Sequence, residues 1–134
     1  MFQKTVLMSS PEYFKVEYAI NPWMVPGTKV DLELAKDQWN GLKRTIEEAG
    51  AEVKVVPPSE NHPDLVFTAN SGIISGNDVL IANFKFEERR GEEEIYIKWF
   101  KENEYNVSRI PPDYKFEGRG DAFVYGDYLV GSYG

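Results

Sequence analysis

Hydrophobic and polar positions change their period several times along this chain, and each change marks an element. TVLMSS at 5–10 is a short apolar run that predicts a strand. PEYFKVEYAINPWMVPGTKV at 11–30 has three prolines, several aromatics and no regular period. It predicts a long ordered loop, of the kind that often carries function inside a compact domain. From Asp31 the period becomes helical, with Ala35, Trp39, Leu42, Ile46 and Ala49 on one stripe. Asp31 suits an N-cap and Gly50 a C-terminal stop. EVKVVPP at 52–58 predicts a strand ended by two prolines.

LVFTANSGIISGNDVLIANF at 65–84 reads as two apolar runs around Gly76-Asn77-Asp78, a hairpin pattern. EERRGEEEIYIKWFKENE at 87–104 predicts a second helix, with Ile95, Trp99 and Phe100 on its buried face and Glu92 to Glu94 in its first turns. Gly91 weakens that first turn. YNVSRIPP at 105–112 is another strand ended by prolines, and FEGRGDAFVYGDYLVGSYG at 116–134 a second hairpin around Gly126-Asp127.

The two hairpins superpose as a repeat. Asp78 to Phe84 parallels Asp127 to Tyr133 at an offset of 49 residues, and Phe67 and Phe116 open the first strands at the same offset. Each helix is followed by a strand and a Pro-Pro pair. The unit is hairpin, helix, strand, about 50 residues long, a period typical of arrays whose units cover one another. The chain holds about two and a half such units and stops on a hairpin, so a continuation is expected.

Composition narrows the chemistry. With 134 residues, 42% apolar, the chain suits one domain with a core. The absence of cysteine removes disulfides, thiolate metal sites and a thiol nucleophile, and His62 is the single histidine. No metal and no cofactor is therefore expected. A net charge of −7 disfavours nucleic acid and favours small or cationic ligands. The apolar stretch of MFQKTVLMSS is short for a secretory signal, and no run is long enough to span a bilayer, so a cytoplasmic protein without a membrane partner is expected.

His62, between Asn61 and Pro63, reads as a solvated loop histidine, and Ser9, Ser10 and Ser71 have no evident base. Gly118-x-Gly120 lacks the helix a dinucleotide loop requires, and Arg119-Gly120-Asp121 is too short a match to carry an adhesion function. What remains is a set of polar residues at the tips of the hairpin strands: Asp64 and Asn70 in one unit, Glu117 and Asp121 in the next. Converging carboxylates favour a planar guanidinium through paired hydrogen bonds. Arg89 and Arg90 could hold a substrate carboxylate in the same way. The alternative is that Asp64 and Asp121 cap turns while the arginines pair with glutamates such as Glu93.

INPWM at 20–24, PDLVFTANSG at 63–72, FKFEERRGEE at 84–93 and FEGRGD at 116–121 resemble successive N-terminal motifs of the guanidine-modifying superfamily. Arginine deiminases and dihydrolases, dimethylarginine dimethylaminohydrolases and amidinotransferases belong to it. The resemblance covers nearly the whole chain. It implies an α/β fold, part of a five-bladed propeller of pentein-type ββαβ repeats, with residues 1–134 as the N-terminal portion of one domain whose C-terminal half is absent. It implies that Glu117 is the catalytic glutamate and that Asn21, Asp64, Phe67, Asn70, Arg89 and Asp121 bind substrate, Arg89 through the substrate carboxylate. Asn70 replaces the second acid of deiminases and is similar to the dihydrolase-like branch. Arg119 stands where the family commonly has a small residue.

In the family a cysteine forms a covalent thiouronium and a histidine moves protons. Both are expected in the missing half. The resemblance thus implies the substrate-clamping half of a hydrolase acting on arginine or a related guanidino compound, inactive alone. The alternatives are half of an amidinotransferase, or a non-catalytic assembly module of the same fold. The implied partners are a guanidino substrate and either the missing half or a second copy.

Overall fold

A computed structural model describes residues 4–132. The chain divides into two compact units, Met1–Thr68 and Ala69–Gly134.

The first unit is built on two parallel strands, β1 (Thr5–Ser9) and β2 (Glu52–Val56), paired from Thr5↔Glu52 to Ser9↔Val56. Parallel neighbours need a crossover connection, and helix α1 (Leu32–Glu48) lies on it. Asp31 caps that helix, its side chain accepting the Leu34 N–H at 3.0 Å. Gly50 ends it with φ +88°, and its N–H reaches the Glu47 carbonyl. Pro57 and Pro58, which cannot donate to a ladder, follow β2 as expected. Between Ser9 and Leu32 the chain is irregular but held by turns, among them Gly27 N–H to Val16 O at 2.8 Å.

The α1 stripe is less covered than its periodicity suggests. Ala35, Trp39 and Ile46 are half-buried, Leu42 and Ala49 are exposed, and α1 has no fully buried side chain. The buried positions of this unit are Met8, Ser9, Pro11, Val56 and, in the 3-10 turn Pro63–Val66, Pro63, Asp64 and Leu65.

The second unit contains one complete hairpin–helix–strand repeat. Strands β3 (Gly72–Ser75) and β4 (Asp78–Ile81) form an antiparallel hairpin. Helix α2 (Glu87–Glu102) then leads to β5 (Asn106–Arg109), which lies parallel to β4, giving the order β3-β4-β5. A second hairpin, β6 (Ala122–Tyr125) with β7 (Tyr128–Gly131), follows. Val79, Ile81, Phe84, Tyr96 and Phe100 are essentially fully buried. Each such side chain contributes about 1.5–3 kcal/mol over exposure, and Phe100 also meets Trp99 and Tyr105 edge-on.

Three expectations change here. First, neither first strand begins at its phenylalanine. Phe67 terminates the 3-10 turn Pro63–Val66, a second 3-10 turn spans Thr68–Ser71, and β3 starts only at Gly72. Phe116 makes an isolated bridge to Asn83, ahead of a 3-10 turn at Gly118–Gly120. Second, the hairpins repeat at 50 residues, Gly76 (φ +59°) matching Gly126 (φ +58°) and Asp78 matching Tyr128. An offset of 49 puts every side chain on the wrong face, because strand alternation has period two. Tyr133, part of that expected match, lies outside the described residues. Third, the buried face of α2 is Arg89, Glu92, Tyr96, Ile97 and Phe100, while Ile95 and Trp99 are half-buried.

Candidate functional site

In the second unit, the two 3-10 turns that precede β3 and β6 are pressed together. Gly118, at φ +60°, sits where a Cβ would come within 2.7 Å of the Ala69 carbonyl oxygen and 2.8 Å of the Gly72 nitrogen. Only glycine permits that approach. Its consequence is that the Glu117 carbonyl oxygen lies 3.2 Å from Asn70 Nδ2, which donates to it. The Glu117 N–H in turn donates to Asp121 Oδ2 at 2.6 Å, closing the turn on itself. Glu117 is half-buried and Asp121 exposed. Asn70 from one turn and Glu117 and Asp121 from the other thus form one cluster.

Arg89 joins this cluster from below. It projects from the first turn of α2 and is 4% exposed. Its Nε and Nη2 donate to the two oxygens of Glu92 at 2.8 and 2.7 Å, and its Nη1 donates to Asn70 Oδ1 at 3.1 Å. The guanidinium also lies over the Phe84 ring, 4.4 Å from its centroid. Arg89 is thus paired with a glutamate, Glu92. Glu93 accepts the Phe84 N–H at 2.9 Å. Arg90 is exposed, and its guanidinium donates to the Lys85 carbonyl at 3.0 Å.

Tyr96 is buried on the same face of α2. Burial, with the charge of Glu92 adding to it, pushes its phenol far above the usual range, so it remains a neutral hydroxyl. Glu92 is the residue the sequence reading missed. Its spacing of three from Arg89 was the available signal, hidden because the run Glu92–Glu94 looks like a solvated helix start.

The remaining expected residues lie in the first unit. Asp64 is 3% exposed within the 3-10 turn, behind Pro63. Phe67 ends that turn, its N–H donating to the Asp64 carbonyl at 3.0 Å, and its ring meets Phe14 edge-on at 5.6 Å. Asn21 is exposed on the irregular loop, its Oδ1 accepting the Trp23 N–H at 3.0 Å in an Asx turn. His62 is half-buried rather than a solvated loop residue. Its Nδ1 lies 2.9 Å from Ser59 Oγ, and burial holds its pKa below the usual value. Among the described residues no group of three or more His, Asp or Glu is arranged to hold a metal ion.

Chemically, the second unit offers an exposed and a half-buried carboxylate beside a neutral amide, with the nearby arginine charge offset by a buried glutamate. The chain is a mixed α/β protein whose family model match and relatives place it in the guanidine-modifying superfamily. The model of the eukaryotic N,N dimethylarginine dimethylhydrolase family matches residues 14–130, and the chain belongs to that family. ArgZ of Synechocystis sp., a bifunctional arginine dihydrolase/ornithine cyclodeaminase, is 42% identical over 96% of this chain and 19% of its own length. The dimethylarginine dimethylaminohydrolase of Mycobacterium tuberculosis is 36% identical over 95% of this chain and 41% of its own length. The N-terminal domain of ArgZ, solved as a cysteine-to-serine variant bound to substrate, superposes with a TM-score of 0.88 and 40% identity, over 97% of this chain and 49% of that one. The chain therefore spans less than half the length of the curated relatives it matches.

Proposed function

We propose that these 134 residues form the guanidino-binding portion of a hydrolase acting on arginine or a methylated arginine. The observation that carries this reading is the joining of Asn70, Glu117 and Asp121 by two interlocked 3-10 turns. A guanidinium is flat and donates along its edges, so a carboxylate pairs with it and orients its carbon. Glu117 is the principal partner and Asp121 adds negative charge; for Asn21, Asp64 and Phe67 a substrate-binding role is supported by the family resemblance of their motifs. The parent architecture is a five-bladed propeller of ββαβ units, of which β3-β4-α2-β5 is one.

The reaction in this proposal runs through a cysteine outside residues 1–134. Its thiolate attacks the guanidinium carbon, the C–N bond breaks as the departing amine takes a proton from a histidine, and water then adds to the thiouronium carbon, breaking the C–S bond to free a ureido product and regenerate the thiolate. The chain itself binds the guanidino group without turning it over. Isothermal titration of the chain with arginine tests this: binding is expected, and Glu117→Gln is expected to weaken it at least tenfold. Ammonia release without any added partner chain, lost in Glu117→Gln, would overturn the division of labour. Co-expression with the C-terminal part of an ArgZ-like domain is expected to restore hydrolysis, and amine acceptors competing with water would indicate an amidinotransferase instead.

A second reading, an assembly module without catalysis, is favoured by the exposed apolar side chains of the β6–β7 hairpin. It predicts arginine-independent association as the only binding activity.

A further inference from the structure

Glu92 has no part in the proposed reaction, yet it is the most deeply enclosed charge in the second unit, with 0% exposure. Burying a carboxylate is costly unless it is paired and hydrogen-bonded, and this one is paired bidentately with Arg89. The same guanidinium donates from Nη1 to the Asn70 side-chain oxygen at 3.1 Å. Fixing the oxygen end of an amide fixes its NH2 end as well, and here the NH2 donates to the main-chain carbonyl of Glu117. The four residues form a directional chain from the α2 interior to the first residue of the cluster turn.

We propose that Glu92 and Arg89 are positioning residues: together they set the orientation of the Asn70 amide and, through it, the Glu117 backbone. This inference rests on the guanidino-binding reading above, and it differs from a role for Arg89 on the substrate carboxylate. Without the pair, Asn70 can rotate its amide and the tie to Glu117 loosens. The geometry makes this a property of the guanidinium-binding end of the site, so it acts equally on ligands with and without a carboxylate.

The test uses arginine and agmatine, which share the guanidinium but differ in the carboxylate. Glu92→Gln alone leaves a buried arginine without its counter-charge and risks unfolding, so the informative variant is Arg89→Met with Glu92→Gln, which removes both charges together. Circular dichroism is expected to show this double variant folded. Titration is expected to show about a tenfold loss of affinity for both ligands, and no further loss when Asn70→Ala is added, because all three substitutions then cut one path. The Asn70 side-chain amide resonances, assigned by their disappearance in Asn70→Ala, are expected to shift in the double variant. A loss confined to arginine, an additive loss with Asn70→Ala, or unshifted Asn70 resonances would overturn the proposal. If the unaltered chain binds neither ligand, the guanidino-binding reading fails, while the resonances still decide whether the pair orients Asn70.

Discussion

A single missing Cβ brings the candidate site together. At Gly118 any side chain would meet the backbone of Ala69 and Gly72 inside 3 Å, and the residue also holds φ +60°. Left-handed backbone at a non-glycine costs on the order of 1–3 kcal/mol, and here relief of the contact requires the two turns to separate. Gly118→Ala is therefore expected to lower stability by at least about 2 kcal/mol in urea unfolding and to weaken arginine binding, since Glu117 moves with it. Unchanged unfolding would show that the turns yield without cost. The motif FEGRGD drew attention to its charged residues, whereas its first glycine determines where they sit. Nothing in the structure explains the arginine at position 119.

Among the elements, the two helices show different degrees of legibility. For α1, boundaries and cap followed from local chemistry, because a capping aspartate and a terminal glycine act within one turn. Asp31→Ala is expected to cost about 1 kcal/mol, with Asp31→Asn largely neutral, read from urea midpoints. For α2 the extent was readable but the buried face was not. Apolar periodicity placed Ile95 and Trp99 inward, yet an ion pair occupies that place at Arg89 and Glu92. Charged residues score as solvent-facing in any hydrophobic pattern, and only a partner across the turn makes their burial tolerable. The strands were legible as apolar runs ended by prolines. The 3-10 turns before β3 and β6 were not, since alternation cannot tell an extended run from a tight turn of similar composition.

Over the whole molecule, the two hairpins of the second unit differ in cover. Strand β4 is flanked by β3 and β5, and its Val79 and Ile81 are buried. Among the described residues β6 and β7 pair only with each other, leaving Phe123, Val124, Tyr125, Tyr128, Leu129 and Val130 exposed. Paired strands with open edges and apolar faces are prone to associate. The 134-residue chain is expected to sediment with concentration-dependent mass, and Tyr125→Lys with Leu129→Lys to shift it toward monomer. A single monomeric species across the concentration range would count against this. No helix among the described residues is long and apolar enough to cross a membrane.

The sequence by itself determined the order of elements, the caps of α1, the hairpin–helix–strand repeat and the family, because these depend on local periodicity, turn chemistry and motif order. Tertiary structure alone decided the 50-residue offset, the burial of Glu92 against Arg89, and the meeting of Asn70 with Glu117. Each of those depends on a contact between residues that are far apart in sequence or hidden on a charged helix face, where steric fit and desolvation, rather than residue type, select the partner.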